Sequence, residues 1–386
     1  MKKIDTLLLG ALLVLAIALR MYHITYPLAD WHSWRQADTA AVARNFVDAD
    51  FNIFLPRFDD FSNVQSSIYN PEGYRMVEFP LYNSATALLH MAAPSLPIEV
   101  AGRIISIIFS LIIISIVYYL LLKEHSRIAA MIGGLIFSTF PFFVYYSRVV
   151  LPDMTALGCG MISIYLLYMW SQKKETIIRW ICAISSLVFF ACALLIKPTT
   201  IFFAPALAYL FFRNYHVKTI KSPIPYLFFG LSIIPLVLWR IYITQYPAGI
   251  PLSKWLFTSV NTSLGLQEIL LRPSFFRWVF LERISILILG GYALVLVIMG
   301  ITRRPKNGYF LLTLPFCALC YLLIFEGCNV QHDYYQIMIL PALAICAGLG
   351  GAYLLQSSKA VPHRIFNSVL VVSILLSSWY FSYKLL

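Results

Sequence analysis

Four short segments of this 386-residue chain gather the side chains that could do chemistry. The first is Asp30-Trp31-His32-Ser33-Trp34-Arg35-Gln36-Ala37-Asp38-Thr39. Its two carboxylates, imidazole and guanidinium contain the parts of a general base and an anion clamp. The same residues also fit the start of a surface helix, with Asp30 or Ser33 as cap and Arg35 paired to Asp38 one turn away. The second segment, Ser147-Arg148-Val149-Val150-Leu151-Pro152-Asp153, is a tight link between apolar runs. Here Arg148 is either a site cation or a snorkelling arginine, and Asp153 either a site carboxylate or a helix cap. The third, Lys197-Pro198-Thr199-Thr200, holds a lysine in a very short link, where it can meet a phosphate at headgroup depth. The fourth runs from Glu326 to Tyr335 and includes His332, Asp333 and Tyr334. His332 and Asp333 are adjacent, so on one element they point different ways. Lys254, Arg272, Arg277 and Arg283 form a looser basic group that also suits lipid contact.

Several chemistries are missing their signatures. There is no phosphate-cradling glycine loop, no H-E-x-x-H pair and no serine elbow. Six of the seven cysteines fall in apolar runs, where a thiol behaves as a small hydrophobe. Cys317-x-x-Cys320 has ligand spacing but no second pair. No cofactor and no metal site is therefore expected, although a carboxylate-rich site leaves room for a divalent ion.

The elements that must position these segments are membrane helices. Apolar residues make up 60% of the chain and charged residues 12%, with a mean hydropathy of +0.78. A soluble domain carries roughly a quarter charged residues. Runs such as Arg103–Leu122 are long enough to cross ~30 Å of hydrocarbon. The pattern predicts an all-α polytopic bundle of about eleven spans, with ten to thirteen as the range. They lie at roughly 6–22, 102–122, 128–146, 154–171, 177–196, 199–213, 224–240, 284–302, 309–325, 335–355 and 366–384. Lys2-Lys3, Lys123/Arg127, Lys173-Lys174/Arg179, Arg213/Lys218/Lys221, Arg303-Arg304/Lys306 and Lys359/Arg364 occupy alternate links, which the positive-inside rule places in the cytoplasm. The N-terminus is then cytoplasmic, and the four polar segments face outward. The formal charge of +12 follows from topology and lipid contact, and no nucleic acid partner is expected.

The outer side carries a first long loop, 23–101, and a second, 241–283. Nine of the 17 acidic residues lie between Asp30 and Glu99. Two stretches of the first loop have helical spacing but are too short to span, so both are expected flat in the interface. One bears the stripe Trp34, Ala37 and Ala41, the other Leu81, Ala85, Leu88 and Leu89 after Pro80. No internal repeat is visible. One membrane domain over 1–386, with no soluble C-terminal domain, is expected.

In order and spacing the chain resembles the GT-C membrane glycosyltransferases, the superfamily of the protein O-mannosyltransferases and the lipid A aminoarabinose transferase. The resemblance rests on the acidic loop Asp30–Phe46 after span one, Phe79-Pro80-Leu81-Tyr82, Arg103 opening span two, and Ser147-Arg148 with Leu151-Pro152-Asp153. Lys197-Pro198 and His332-Asp333-Tyr334-Tyr335 with Leu340-Pro341-Ala342-Leu343 complete it. In that family an acidic residue early in the first loop, commonly followed by Glu, is the catalytic base. Here Trp34-Arg35-Gln36-Ala37-Asp38 replaces that pair, so Asp38 and Asp30 both stay open as base.

The resemblance implies a sugar carried on a polyprenyl phosphate and transferred to an acceptor hydroxyl on a glycan, lipid or protein. Phosphate is a good leaving group, so one base suffices, and cations are needed where charge grows on it. On this reading Asp153 orients the acceptor or the base. Arg148, Lys197 and His332 meet the phosphate, while His32, Arg35, Gln36, Asp333 and Tyr334 contact substrate. The expected setting is a bacterial plasma membrane with the site external. A lipid-linked glycan polymerase or ligase is the nearest rival. A transporter or flippase would show internal repeats and charges at mid-span.

Overall fold

The computed structural model of the chain describes residues 2–49, 51–172, 175–252, 269–357 and 360–385. Lys173-Lys174, Lys254 and Lys359, with part of the second long loop, lie outside the described residues.

Every expected apolar run is helical. α1 (Lys3–Met21) precedes α2 (Ser33–Asp48) and α3 (Leu81–Ala92), the two helices of the first long loop. α4 (Ile98–Glu124) is unbroken for 27 residues, about 40 Å at 1.5 Å per residue. α5 (Arg127–Thr139) and α6 (Pro141–Tyr146) are one run interrupted where Pro141 has no N–H to continue the ladder. α7 (Asp153–Gln172) and α8 (Thr176–Ile196) pack along each other, sharing the Ser163–Ser186 hydrogen bond at 3.0 Å. A 3-10 turn, Pro198–Phe203, leads into α9 (Ala204–Tyr215), and α10 (Pro223–Ile243) follows. Beyond the second loop come α11 (Pro273–Phe276), a π-helical stretch Arg277–Ile288, α12 (Leu294–Ile301) and α13 (Phe310–Ile324). α14 (Glu326–Gln331), a 3-10 stretch Asp333–Ile339, α15 (Leu340–Gln356) and α16 (Val361–Leu385) complete the described chain. Among the described residues there is no strand, only an isolated Arg57–Tyr74 bridge.

Among the described residues, seven helical segments are long and apolar enough to cross a membrane: α1, α4, α7, α8, α10, Asp333–Gln356 and α16. The four remaining runs are interrupted or short. They break at Pro141, at the 3-10 turn before α9 and at Gly290-Gly291, where both φ angles are positive, while α13 has 15 residues. Large apolar side chains such as Leu227, Leu231, Val369 and Leu376 are exposed along α10 and α16, as lipid contact requires. The chain is an integral membrane protein. α15 is its most enclosed span, and small residues let α12 approach it closely. A Cβ on Gly300 would stand 1.9 Å from the Cys346 carbonyl oxygen, and one on Gly350 1.9 Å from that of Leu296.

The links separate into two ends. At one end Arg127 pairs with Asp5 at 2.5 Å and Arg213 with Glu124 at 2.9 Å, while Asn307 donates to the Lys123 carbonyl at 2.6 Å. These belong to the basic links of the sequence. At the other end the loops are held by buried arginines. Arg103 donates to the carbonyls of Ile24 and Tyr26, both at 2.6 Å.

The two loop helices orient differently from their sequence patterns. On α2 the side chains turned inward include Arg35, Gln36, Thr39 and Val42, while Trp34 is 52% exposed. The expected Arg35–Asp38 pair is absent, because Arg35 finds Glu78 and Asp38 faces Arg75. On α3 the apolar Leu88 points outward, and Tyr82, Asn83 and Thr86 point in. Tyr82 donates to the Gly102 carbonyl at 2.9 Å and Asn83 to that of Thr39 at 2.7 Å. In a lipid setting an apolar stripe need not face the protein, so the polar face is free to build the interior.

Arg20 holds the break between α5 and α6. It is fully buried and donates to the Phe137 and Ser138 carbonyls at 2.9 Å each and to Ser147 Oγ at 2.6 Å. Pro141 supplies no N–H to the Phe137 carbonyl, and the guanidinium takes that place. Arg20→Met leaves both carbonyls unpartnered and is expected to cost about 3 kcal/mol. Thermal unfolding in detergent, followed by tryptophan fluorescence, would show it as a lowered midpoint. An unchanged midpoint would mean that water already serves those carbonyls.

Candidate functional site

The site begins where α8 stops. Lys197 precedes a proline, which disfavours helix, and its backbone is extended at φ −144 and ψ 107. Its side chain turns inward, with Nζ 3.2 Å from Asp153 Oδ1 and 3.3 Å from Glu78 Oε1. Glu78 Oε1 also accepts from Arg35 Nη2 at 2.6 Å. Four segments far apart in sequence thus meet in one line of charge, Arg35–Glu78–Lys197–Asp153.

Electrostatics keep this line ionised. Burial works to raise the Glu78 carboxyl, but Arg35 and Lys197 outweigh it and hold the group far below the usual carboxylate range. Burial likewise opposes the charge on Arg35 and Lys197. Glu78 raises the first, and Asp153 and Glu78 together raise the second, above their ordinary values. Arg75 has less help. Burial, with Arg35 beside it, lowers its guanidinium to about 10, so it remains a cation at neutral pH.

These residues wall a cavity of about 430 Å³. Among the described residues, Arg35, Arg75, Lys197 and Arg240 line it together with a single carboxylate, Glu78. Trp34, His332, Tyr334 and Tyr335 form its aromatic side. Lys197 Nζ stands 5.9 Å from the Tyr334 ring centre and 5.5 Å from that of Tyr335, within cation–π range. Asp38 and Asp153 stand behind this wall, paired to Arg75 and Lys197. Such a space suits a phosphate that delocalises its charge over several oxygens.

The structure brings most of the expected site residues together. Arg35, Lys197, His332 and Tyr334 line the cavity, and Asp153 stands directly behind Lys197, 3% exposed. His32 Nε2 and Asp333 Oδ1 meet at 2.5 Å, and the His32 ring lies 4.9 Å from that of Tyr334. Gln36 is a strut: its amide donates to Asp30 Oδ1 at 2.6 Å, and its oxygen accepts from the Val150 N–H at 3.0 Å. Burial, foremost, and then the neighbouring His32 lower the His332 imidazole, which favours its neutral form.

Asp30, Arg148 and Asp38 make their contacts elsewhere. Asp30 is engaged by Gln36 and lines no part of the cavity. Arg148 donates to the Tyr22 carbonyl instead. Asp38 opens into a smaller space beside the cavity, shared with Arg35, Arg75 and Glu78. There it lies 3.4 Å from Arg75 Nη2, and burial raises its carboxyl despite that cation. Among the looser basic residues, Arg283 donates to the Asn329 and Val330 carbonyls and so pins the turn before His332. Arg277 pairs with Glu282 at 2.9 Å on the surface. Glu78, Arg75 and Arg240 were not anticipated. A signal existed for Glu78, an acid set between Val77 and Phe79 just before Pro80, and for Arg240, an arginine closing a span on the end opposite the basic links. Among the described residues, no three His, Cys, Asp or Glu side chains are grouped to hold a metal ion.

Comparisons with known proteins bear on the fold. Residues 95–242 match the family described as dolichyl-phosphate-mannose-protein mannosyltransferase. No curated protein matches the chain in sequence. Among solved structures, ArnT from Cupriavidus metallidurans bound to undecaprenyl phosphate is similar, with a TM-score of 0.64 and 13% identity, over 95% of this chain and 62% of that one. The oligosaccharyltransferase AglB from Archaeoglobus fulgidus, in complex with an inhibitory peptide and a dolichol-phosphate, gives 0.63 and 12%, over 99% and 55%. The Archaeoglobus fulgidus oligosaccharyltransferase in the apo form gives 0.62 and 13%, over 100% and 56%. The chain therefore spans less than two thirds of the length of these proteins. The matched family segment runs from just before α4 to the end of α10 and contains Arg148, Asp153, Lys197 and Arg240. By that segment and by its architecture, the chain is a membrane protein with the GT-C glycosyltransferase fold.

Proposed function

We propose that the protein transfers a sugar from a polyprenyl-phosphate donor to an acceptor hydroxyl, by a single displacement that inverts the anomeric carbon. The observation that carries this reading is the cavity in which Arg35, Arg75, Lys197 and Arg240 surround one carboxylate. A leaving phosphate gains charge as the glycosidic C–O bond breaks, and preorganised cations stabilise that charge most where water is excluded. No acid is needed, because the phosphate departs as an anion. Glu78 and Asp153 hold Arg35 and Lys197 in position while the cavity waits for its anion. The lipids bound to the two similar proteins, undecaprenyl phosphate in ArnT and dolichol-phosphate in AglB, support a polyprenyl carrier.

An apolar groove of about 430 Å³ between α9 and α13, lined by Ala208, Phe212, Leu312 and Phe316, suits part of the lipid tail. The acceptor is a hydroxyl of a glycan, lipid or protein. The protein sits in a bacterial plasma membrane with its N-terminus cytoplasmic and the cavity external. The gathering of the basic links at the far end of the bundle supports that orientation.

The test is transfer of label from polyprenyl-phosphate sugars in membranes containing the protein, with binding of undecaprenyl phosphate to purified protein alongside. Lys197→Met and Arg35→Ala are each expected to lower the transfer rate at least ~100-fold and to weaken lipid phosphate binding. Binding that is indifferent to both substitutions would refute the phosphate cavity.

A second expectation concerns Glu78. Glu78→Gln leaves Arg35 and Lys197 undercompensated in a buried setting, at a cost of about 3 kcal/mol or more. The wild-type carboxylate is held low, so its contribution to stability is complete above the unfolded value of about 4.3. That contribution declines as pH falls below this value toward the folded pKa. Unfolding midpoints measured across pH should therefore show wild type and Glu78→Gln converging in acid. A constant gap between them would contradict the assignment.

A further inference from the structure

Resting on the transfer reading above, we infer that the proton of the acceptor hydroxyl is taken by His32, with Asp333 orienting its ring. None of the carboxylates suits the task as well. Glu78 and Asp153 are bound by Arg35 and Lys197, which makes both poor proton acceptors. Asp30 is held by Gln36, and Asp38 faces the Arg75 guanidinium at 3.4 Å.

His32 is placed differently. Its Nε2 meets Asp333 Oδ1 at 2.5 Å, a contact between residues 301 positions apart. Among the described residues its Nδ1 has no hydrogen-bond partner, and its side chain is 19% exposed. A carboxylate on one nitrogen with the other free is the arrangement that fixes a tautomer and steadies an imidazolium as it forms. The His32 ring lies 5.5 Å from that of His332 and 4.9 Å from that of Tyr334, both in the cavity wall. The dyad thus stands at the cavity edge, behind the wall formed by His332 and Tyr334. In-line displacement requires base and leaving phosphate on opposite sides of the anomeric carbon.

The backbone of His32 supplies an independent sign. It sits at φ 55 and ψ 35, a left-handed conformation that costs an L residue roughly 1–2 kcal/mol. This placement directs the imidazole across to Asp333 at the entry to α2, and strain of this kind concentrates at working sites. The titratable groups facing the dyad are His332 and Tyr334 on the Asp333 turn, Tyr146 from α6, Arg283 from the π-helical stretch and Arg35 on α2.

The step balances without a further reactant. The acceptor oxygen forms a bond to the anomeric carbon as its proton passes to His32 Nδ1. The bond from that carbon to the phosphate oxygen breaks, and polyprenyl monophosphate leaves with the electron pair. Solvent then removes the proton from His32.

The experiment measures transfer from a labelled polyprenyl-phosphate sugar across pH, with undecaprenyl phosphate binding as a check on the folded cavity. In wild type the rate should fall on the acid side, as a base that must accept a proton requires. His32→Gln should lose at least ~100-fold in rate and that acid limb, while undecaprenyl phosphate binds within about twofold of wild type. Asp333→Asn should slow transfer and displace the limb. His32→Ala should regain part of its rate on addition of imidazole, which a purely structural role would not allow. The inference is overturned if His32→Gln keeps the wild-type rate or limb, or if its loss of rate matches an equal loss of phosphate binding. A limb that vanishes instead in Asp38→Asn also overturns it. Wild-type protein that transfers no sugar would bring down the transfer reading itself, and this inference with it.

Discussion

The carboxylate of Glu78, held between Arg35 and Lys197, is the contact on which the cavity end of the protein depends. Burying one cation in such surroundings is costly, and clustering four adds mutual repulsion. Glu78 relieves Arg35 and Lys197 together, and Asp153 relieves Lys197 from behind. Asp38 relieves Arg75 in the same way, so that among the described residues the cavity wall itself carries four cations and one carboxylate.

That contact also explains how the first long loop is held. Residues 76–80 do not form a helix, yet they are fastened on both sides. The Met76 N–H bonds to the Gly249 carbonyl at 2.8 Å, and the Phe79 N–H to the Leu195 carbonyl at 3.0 Å. Glu78 is thereby presented to the end of α8. α2 then docks on Glu78 through Arg35 and on α3 through the Asn83–Thr39 bond, while Tyr82 joins α3 to α4 at the Gly102 carbonyl. Irregular backbone at membrane depth survives only where protein or a water-filled cavity satisfies it. The 3-10 stretches after Lys197 and at Asp333 sit beside this cavity, and the capped break at Pro141 lies close to the link that carries Ser147.

Much of the bundle was legible in the sequence, because crossing hydrocarbon demands long uncharged runs whatever the neighbours are. The alternation of basic links was legible for the same reason, and the structure gathers those links at one end. At the site, Lys197, Arg35, His332 and Tyr334 stood out as polar residues in places that a simple span does not require. Glu78 did not, since its meaning depends on Leu195 and Lys197, more than a hundred residues away. Arg35 and Asp38 illustrate the opposite error. Their spacing invites an ordinary helical pair, but a surface pair of that kind contributes only a few tenths of a kcal/mol. The buried alternatives, Glu78 and Arg75, offer each of them more.

Composition and hydropathy by themselves determined that this chain is a polytopic helical membrane protein, and the order of its polar segments pointed to the GT-C architecture. Those properties follow from local demands: every backbone group in lipid must be satisfied within its own helix, and charge must stay near the ends of spans. The tertiary structure decided which charges meet. It gave Arg35 to Glu78, turned Arg148 to a carbonyl, set Asp38 and Asp30 aside from the cavity, and brought His32 to Asp333. Such pairings depend on how helices pack in three dimensions, and spacing along the chain carries no record of them.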